Sequence, residues 1–205
     1  MPLIRSTFAS PWPTMLVVIL LGLLAGGCSG GPGESEPETT GESVMVAPRA
    51  EGEAVAALSG LEAADEAAVG WQEDAGLYAV AAATPTLNAE GESPSWLYTY
   101  VSESAGAVAS VTYSEAEGAR LDPAQELPEA DITYISDNLL PEPASLTDST
   151  EAIEAAREVG SALEENPEAE ASAGLDSFSG NGPEWIFATA QGEERIEERV
   201  PATTP

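Results

Sequence analysis

The chain carries a tryptophan-led pattern twice, and this pattern is typical of a β-strand. Residues 93–100 read SPSWLYTY and residues 182–189 read GPEWIFAT. In each copy a proline precedes a tryptophan, an aliphatic residue and an aromatic residue. Successive side chains of a strand point to opposite faces, so each pattern predicts a strand with one aromatic face. The rings on these faces are Trp96, Tyr98 and Tyr100 in the first copy and Trp185 and Phe187 in the second.

Further strand patterns accompany each copy. Residues 107–114 and 194–200 alternate apolar and polar side chains, and each follows a turn sequence, so each predicts the second strand of a hairpin. Residues 77–83 and 171–178 predict one more strand before each tryptophan. A separate strand is predicted for residues 131–135, between the two copies.

A helix pattern precedes each set of strands. The first covers residues 53–69, with Gly60 as a weak point inside it. The second begins after Asp148, which is a suitable cap because Glu151 follows three residues later. Its apolar stripe consists of Ile153, Ala156, Gly160 and Leu163. Asn166-Pro167 is expected to end it.

The order of these patterns predicts an α+β fold of two similar α-β-β-β lobes, each a helix on a small antiparallel sheet. A disordered N-terminal segment is expected to precede them. The predicted boundaries are a signal peptide at 1–27, an anchor and tether at 28–50, a first repeat at 51–120, a connecting segment at 121–146, a second repeat at 147–201 and a frayed tail at 202–205.

The N-terminus resembles the signal of bacterial lipoproteins. Residues 15–24 form an apolar run that is shorter than the roughly 20 residues of a membrane-spanning helix. Small residues and then Cys28 follow, as in a lipobox. The resemblance implies that Cys28 carries the lipid and becomes the first mature residue. It also implies a cell-envelope location, and Ser29 favours the outer membrane over the inner one. The alternative is an ordinary secretory signal that is cleaved nearby.

The charge of the chain excludes several functions. It has 36 acidic residues, 6 basic residues and no histidine, for a net charge of −30. Such a surface repels nucleic acid. Without histidine or lysine there is no histidine-based catalysis, P-loop or Schiff base. No cofactor is expected, and no residue is assigned to catalysis or to metal binding.

The acidity has three interpretations. It is typical of proteins adapted to concentrated salt, where charge repulsion is screened. It also fits intrinsic disorder or a dedicated cation binder. The densest acidic cluster is Glu164, Glu165, Glu168 and Glu170, and a solvated helix end explains it better than a calcium site.

The tandem layout resembles the PepSY-like modules of secreted and lipid-anchored bacterial proteins. That resemblance implies a non-catalytic module that binds an envelope protein or a peptidase. The aromatic faces are then either the core between helix and sheet or an exposed contact patch. The alternatives are a surface protein that binds cations or retains water, and a hydrolase that uses carboxylates alone. The sequence does not indicate an oligomeric state.

Overall fold

The computed structural model of the chain describes residues 52–191 and 194–203. The predicted signal peptide, Cys28 and the tether lie outside the described residues, as do residues 204 and 205. The helices are α1 (Leu61–Trp71), α2 (Glu129–Ser136), α3 (Ser149–Ile153) and α4 (Arg157–Glu165). The strands are β1 (Gly76–Ala82), β2 (Trp96–Ser102), β3 (Ala107–Ser114), β4 (Gly118–Leu121), β5 (Gln125–Glu126), β6 (Ala171–Asp176), β7 (Glu184–Gln191) and β8 (Glu194–Pro201).

The strands of the described residues form one antiparallel sheet. Its order is β4-β3-β2-β1-β6-β7-β8, and β5 pairs with β3 beside β4. The predicted α+β class is therefore confirmed, as are the strands predicted on either side of each turn. Two separate lobes are not confirmed, because β1 pairs with β6 through Val80 and Leu175 and joins the two sets of strands. This pairing satisfies two strand edges that separate lobes would leave exposed, and it lets both sets share one core.

One face of the sheet, here called the covered face, holds the main core. Val111, Tyr98, Val80, Leu175 and Trp185 lie directly opposite one another on five neighbouring strands. Each of these side chains is at most 1 % exposed. Helices α1, α3 and α4 cover this row, so its burial stabilises both halves of the sheet together by about 1.5–3 kcal/mol per large apolar side chain.

The first helix begins later than predicted. Helix α1 starts at Leu61, and in the segment before it Val55 exchanges two backbone hydrogen bonds with Ser93, after which residues 57–60 form a turn. Gly60 ends this segment in direct contact with the ring of Tyr113, where a Cβ would lie 2.2 Å from a ring carbon. Val55 therefore satisfies its backbone through a partner 38 residues away rather than through a helix.

The second predicted helix is two helices. Asp148 caps α3 by accepting a hydrogen bond from the Ser149 backbone N–H at 2.7 Å. Ala156 then leaves the helical conformation, and α4 begins without a cap from its own segment. Glu198 on β8 replaces it, because its Oε2 accepts a hydrogen bond from the Val159 backbone N–H at 2.8 Å. A carboxylate at this position also favours the helix dipole.

Two further predictions are wrong. Residues 131–135 belong to helix α2 instead of a strand; acidic side chains occupy its first turn, and Ile132 is buried. The tail was predicted to fray from residue 202, but Ala202 is fully buried. Its carbonyl accepts from the Thr147 N–H at 2.7 Å, and its N–H donates to the Pro183 carbonyl at 2.9 Å. These bonds hold the chain end against the segment that enters α3.

Candidate interaction surface

The five aromatic residues proposed from the sequence lie in the core. Trp96, Tyr98, Trp185 and Phe187 are fully buried and Tyr100 is 2 % exposed. They point to the covered face of the sheet, so they do not form an exposed contact patch.

Hydrogen bonds hold the polar atoms of these rings in place. The indole N–H of Trp96 donates to the Val55 carbonyl and that of Trp185 to the Thr147 carbonyl, both at 2.8 Å. The two indoles meet edge to face at 6.1 Å between ring centroids. Tyrosine and tryptophan are stable in a core only when their polar atoms find such partners.

The acidic cluster at the end of α4 does not converge. Glu164 and Glu165 end that helix, whereas Glu168 and Glu170 belong to the following connection. Within the described ranges no three acidic or sulfur side chains are grouped closely enough to hold a metal ion.

One cavity among the described residues has a volume of about 650 Å³. It lies where the connection between β1 and β2 meets α3 and α4. Glu90, Glu154 and Glu164 line it beside Arg157. A carboxylate-only hydrolase would need a desolvated acid here. Ile153 is the one large apolar side chain in the lining, so the cavity offers little surface that could desolvate a carboxyl group.

The second face of the sheet, here called the open face, carries mostly small side chains. Alternation along the strands turns these residues away from the buried row. All are partly exposed, and a Cβ added at Gly174 would meet no heavy atom closer than 3.9 Å. The open face consists of Ala79, Ala81, Leu97, Thr99, Ser110, Thr112, Gly174 and Ile186.

Arginines stand at both edges of the open face. Arg120 on β4 and Arg199 on β8 end the row that crosses Leu97 and Ala81. Arg120 pairs with Asp122, and Arg199 lies 3.2 Å from Glu197. Exposed pairs of this kind contribute little to stability. The effect of these two arginines is local, because they balance negative charge at the edges of the open face in a strongly acidic chain.

An aromatic cluster borders the open face where α2 crosses it. It consists of Tyr78, at a bulge in β1, Phe178, just after β6, and Tyr134 on α2. Phe178 stacks on Tyr134 at 5.6 Å between centroids and 13°, and it meets Tyr78 edge-on at 6.0 Å. Tyr134 remains 54 % exposed. Burial raises the pKa of the Tyr78 hydroxyl above its ordinary value.

Sequence reasoning missed this cluster. Its three rings come from three separate parts of the chain. Tyr78 and Phe178 were assigned to the strands predicted at 77–83 and 171–178, and Tyr134 was assigned to a strand that is a helix. The sequence offered one signal of this cluster, which is that its three rings lie outside both tryptophan-led patterns.

Comparison with known proteins gives no assignment. No protein-family model matches the chain. Neither a curated protein nor a solved structure shows significant similarity to it. In the described part of the chain, no helix has the length and apolar character needed to cross a bilayer.

Proposed function

We propose that this protein is a non-enzymatic, lipid-anchored cell-envelope protein that binds a partner protein through the open face of its sheet. One observation carries the proposal: helices bury the central row of one face of the sheet, whereas the other face remains partly exposed over four central strands. A flat surface of small side chains with a polar rim is suited to contact a folded partner. The partner is an envelope protein, such as a peptidase.

The two halves support an origin as tandem PepSY-like repeats. Each contains a tryptophan-led strand between two others, and the two sets meet through β1 and β6. In each half the indole N–H donates to a backbone carbonyl of the segment that enters a helix, from Trp96 to Val55 and from Trp185 to Thr147. Those two segments also contact each other, since the Ala57 N–H donates to Ser149 Oγ at 2.9 Å. The same long-range bond in both halves is an expected trace of duplication.

The anchoring half of the proposal rests on Cys28. A lipidated cysteine supplies the two or more acyl chains that stable membrane association requires. The tether at 28–50 then holds the α+β unit away from the membrane surface, where the open face is accessible. The net charge of −30 supports a high-salt environment, in which the surface stays hydrated without strong self-repulsion.

The anchor is tested by fractionation of cells that express Cys28→Ser. The variant is expected to leave the membrane fraction, while Ser29→Ala, which keeps the thiol, stays there. Retention of Cys28→Ser in the membrane fraction would refute the lipid anchor and leave the binding half intact.

The binding face is tested by crosslinking in the intact envelope. Ala81→Arg places a long side chain at the centre of the open face, and Val69→Arg makes the matched change at an exposed position of α1 on the opposite side. Partner crosslinks are expected to disappear with Ala81→Arg and to persist with Val69→Arg, at equal thermal stability. Crosslinks that survive both changes would refute the open face as the binding surface.

A further inference from the structure

Helix α2 presents an aromatic ring between two carboxylates. Tyr134 is 54 % exposed, and Asp131 and Asp137 lie three residues before and after it. Residues three apart on a helix are neighbours on its surface. Asp137 keeps helical geometry, and its N–H donates to the Thr133 carbonyl at 3.0 Å. Both carboxylates are exposed and flank the ring along one side of the helix.

The ring is held in a fixed orientation. Phe178 covers one of its faces at an interplanar angle of 13°, and Tyr78 supports Phe178 from the sheet. The Phe178 N–H donates to Asp176 Oδ1 at 3.0 Å, which fixes the chain just after β6. The outer face of Tyr134 is therefore presented to solvent while Phe178 supports its inner face. A preorganised ring loses little entropy when a partner contacts it.

No cation of the described chain serves this ring or its carboxylates. The segment 121–156 contains no basic residue. In the described ranges, the arginines that form ion pairs do so with Asp122 and Glu197. An aromatic face has negative charge density at its centre, and carboxylates beside it add to the attraction for a cation. The chain as a whole carries 36 acidic residues against 6 basic ones.

We infer that Tyr134, with Asp131 and Asp137, is the docking point for an arginine or lysine side chain of the partner protein. The inference rests on the proposed function. It specifies the type of partner side chain that contacts this protein beside the open face. Leu139, 41 % exposed, lies on the same segment and offers an apolar contact for a neighbouring side chain of the partner. The charge of this surface selects a basic segment, because an acidic one would be repelled.

The test uses the full-length protein in non-ionic detergent and two blocked peptides. One is acetyl-Ala-Leu-Arg-Ala-Ala-amide and the other has citrulline, a neutral isostere, in place of arginine. Binding is followed by NMR through the ring resonances of the aromatic cluster. The arginine peptide is expected to bind more tightly than the citrulline peptide. Tyr134→Ala is expected to raise its Kd about two- to fivefold, whereas Tyr134→Phe keeps the ring and the affinity.

A matched control separates this site from diffuse attraction. Asp131→Asn with Asp137→Asn is expected to weaken binding of the arginine peptide. Glu115→Gln with Glu117→Gln, the same charge change in the exposed turn between β3 and β4, is expected to leave it unchanged. Equal losses in both double variants, equal binding of both peptides, or unchanged binding by Tyr134→Ala would each overturn the inference. The proposed function is tested separately. If the Tyr134 site fails but Ala81→Arg still abolishes the envelope crosslinks, the open face remains the binding surface and only the Tyr134 site is refuted.

Discussion

Alkaline pH is expected to unfold this protein through two buried tyrosines. Tyr98 is fully buried and Tyr100 is 2 % exposed. Their hydroxyl groups donate to the Ala57 carbonyl at 2.6 Å and to Asp65 Oδ1 at 2.7 Å. Burial raises the pKa of both hydroxyls far above the ordinary tyrosine value. At Tyr100 the Asp65 carboxylate raises the pKa further, because it binds the proton donor and repels a phenolate.

The size of the effect follows from proton linkage. Below pH about 10 both hydroxyls are neutral in the folded and in the unfolded chain, so the stability they contribute is complete there. Above that pH the unfolded chain releases both protons and the folded chain retains them. The free energy of unfolding then falls by about 1.4 kcal/mol per pH unit for each tyrosine, or about 2.7 kcal/mol per unit for the pair. The raised pKa of Tyr78 adds to this fall.

The composition of this chain makes the measurement unusually direct. All its basic residues are arginines, it has no histidine, and it has one cysteine, so tyrosines are the main side chains that titrate in this range. Urea unfolding is measured in molar KCl from about pH 9 to about pH 12, with tyrosinate absorbance recorded in parallel. Tyr98→Phe removes one proton from the linkage and is expected to lower the slope by about 1.4 kcal/mol per pH unit. Below pH about 10 it also lowers stability by about 1–3 kcal/mol, because the Ala57 carbonyl loses its donor.

Two results would refute this reasoning. The first is a stability that does not change between about pH 10 and about pH 12. The second is ionisation of Tyr98 and Tyr100 in the folded protein, seen as a full tyrosinate signal before the chain unfolds.

Two further predictions concern helix ends. Gly60→Ala is expected to lower the free energy of unfolding by about 1–3 kcal/mol, because its Cβ would overlap the Tyr113 ring. Gly70→Ala, inside α1 with no atom within 4 Å of its Cβ, is expected to stabilise by up to about 1 kcal/mol. Urea unfolding that changed the stability of both variants in the same direction would contradict the contact of Gly60 with Tyr113. Glu198→Gln removes the charge that caps α4 through Val159 and is expected to cost about 0.5–2 kcal/mol. Hydrogen exchange should then accelerate in α4 and not in α1, and unchanged exchange in α4 would count against the cap.

The strands could be predicted because their cause is local. Aromatic and β-branched residues at every second position indicate a half-buried strand in almost any context. Both tryptophan-led patterns are strands, and the hairpin strand predicted at 107–114 has the bounds of β3. The helix pattern that precedes each set of strands also indicated the α+β class.

The helices were harder to predict because distant partners set their limits. Residues 53–60 have helical composition, but Val55 pairs with Ser93 instead. Residues 131–135 are rich in β-branched side chains, yet α2 forms there and buries Ile132. Tertiary contacts outweigh local preferences of a few tenths of a kcal/mol per residue.

The amino-acid sequence by itself determined the two tryptophan-led strands, the hairpin strands beside them, and what the charge of the surface excludes. These properties depend on the two-residue period of a strand and on composition. Both can be read from the sequence without knowing which distant residues meet. Only the tertiary structure decided that β1 and β6 join the two halves into one sheet, that one face stays open, and that Tyr78, Tyr134 and Phe178 meet beside it. Such contacts bring together residues that are far apart in the chain. Which of these contacts form depends on how all the apolar surfaces of the chain are buried together.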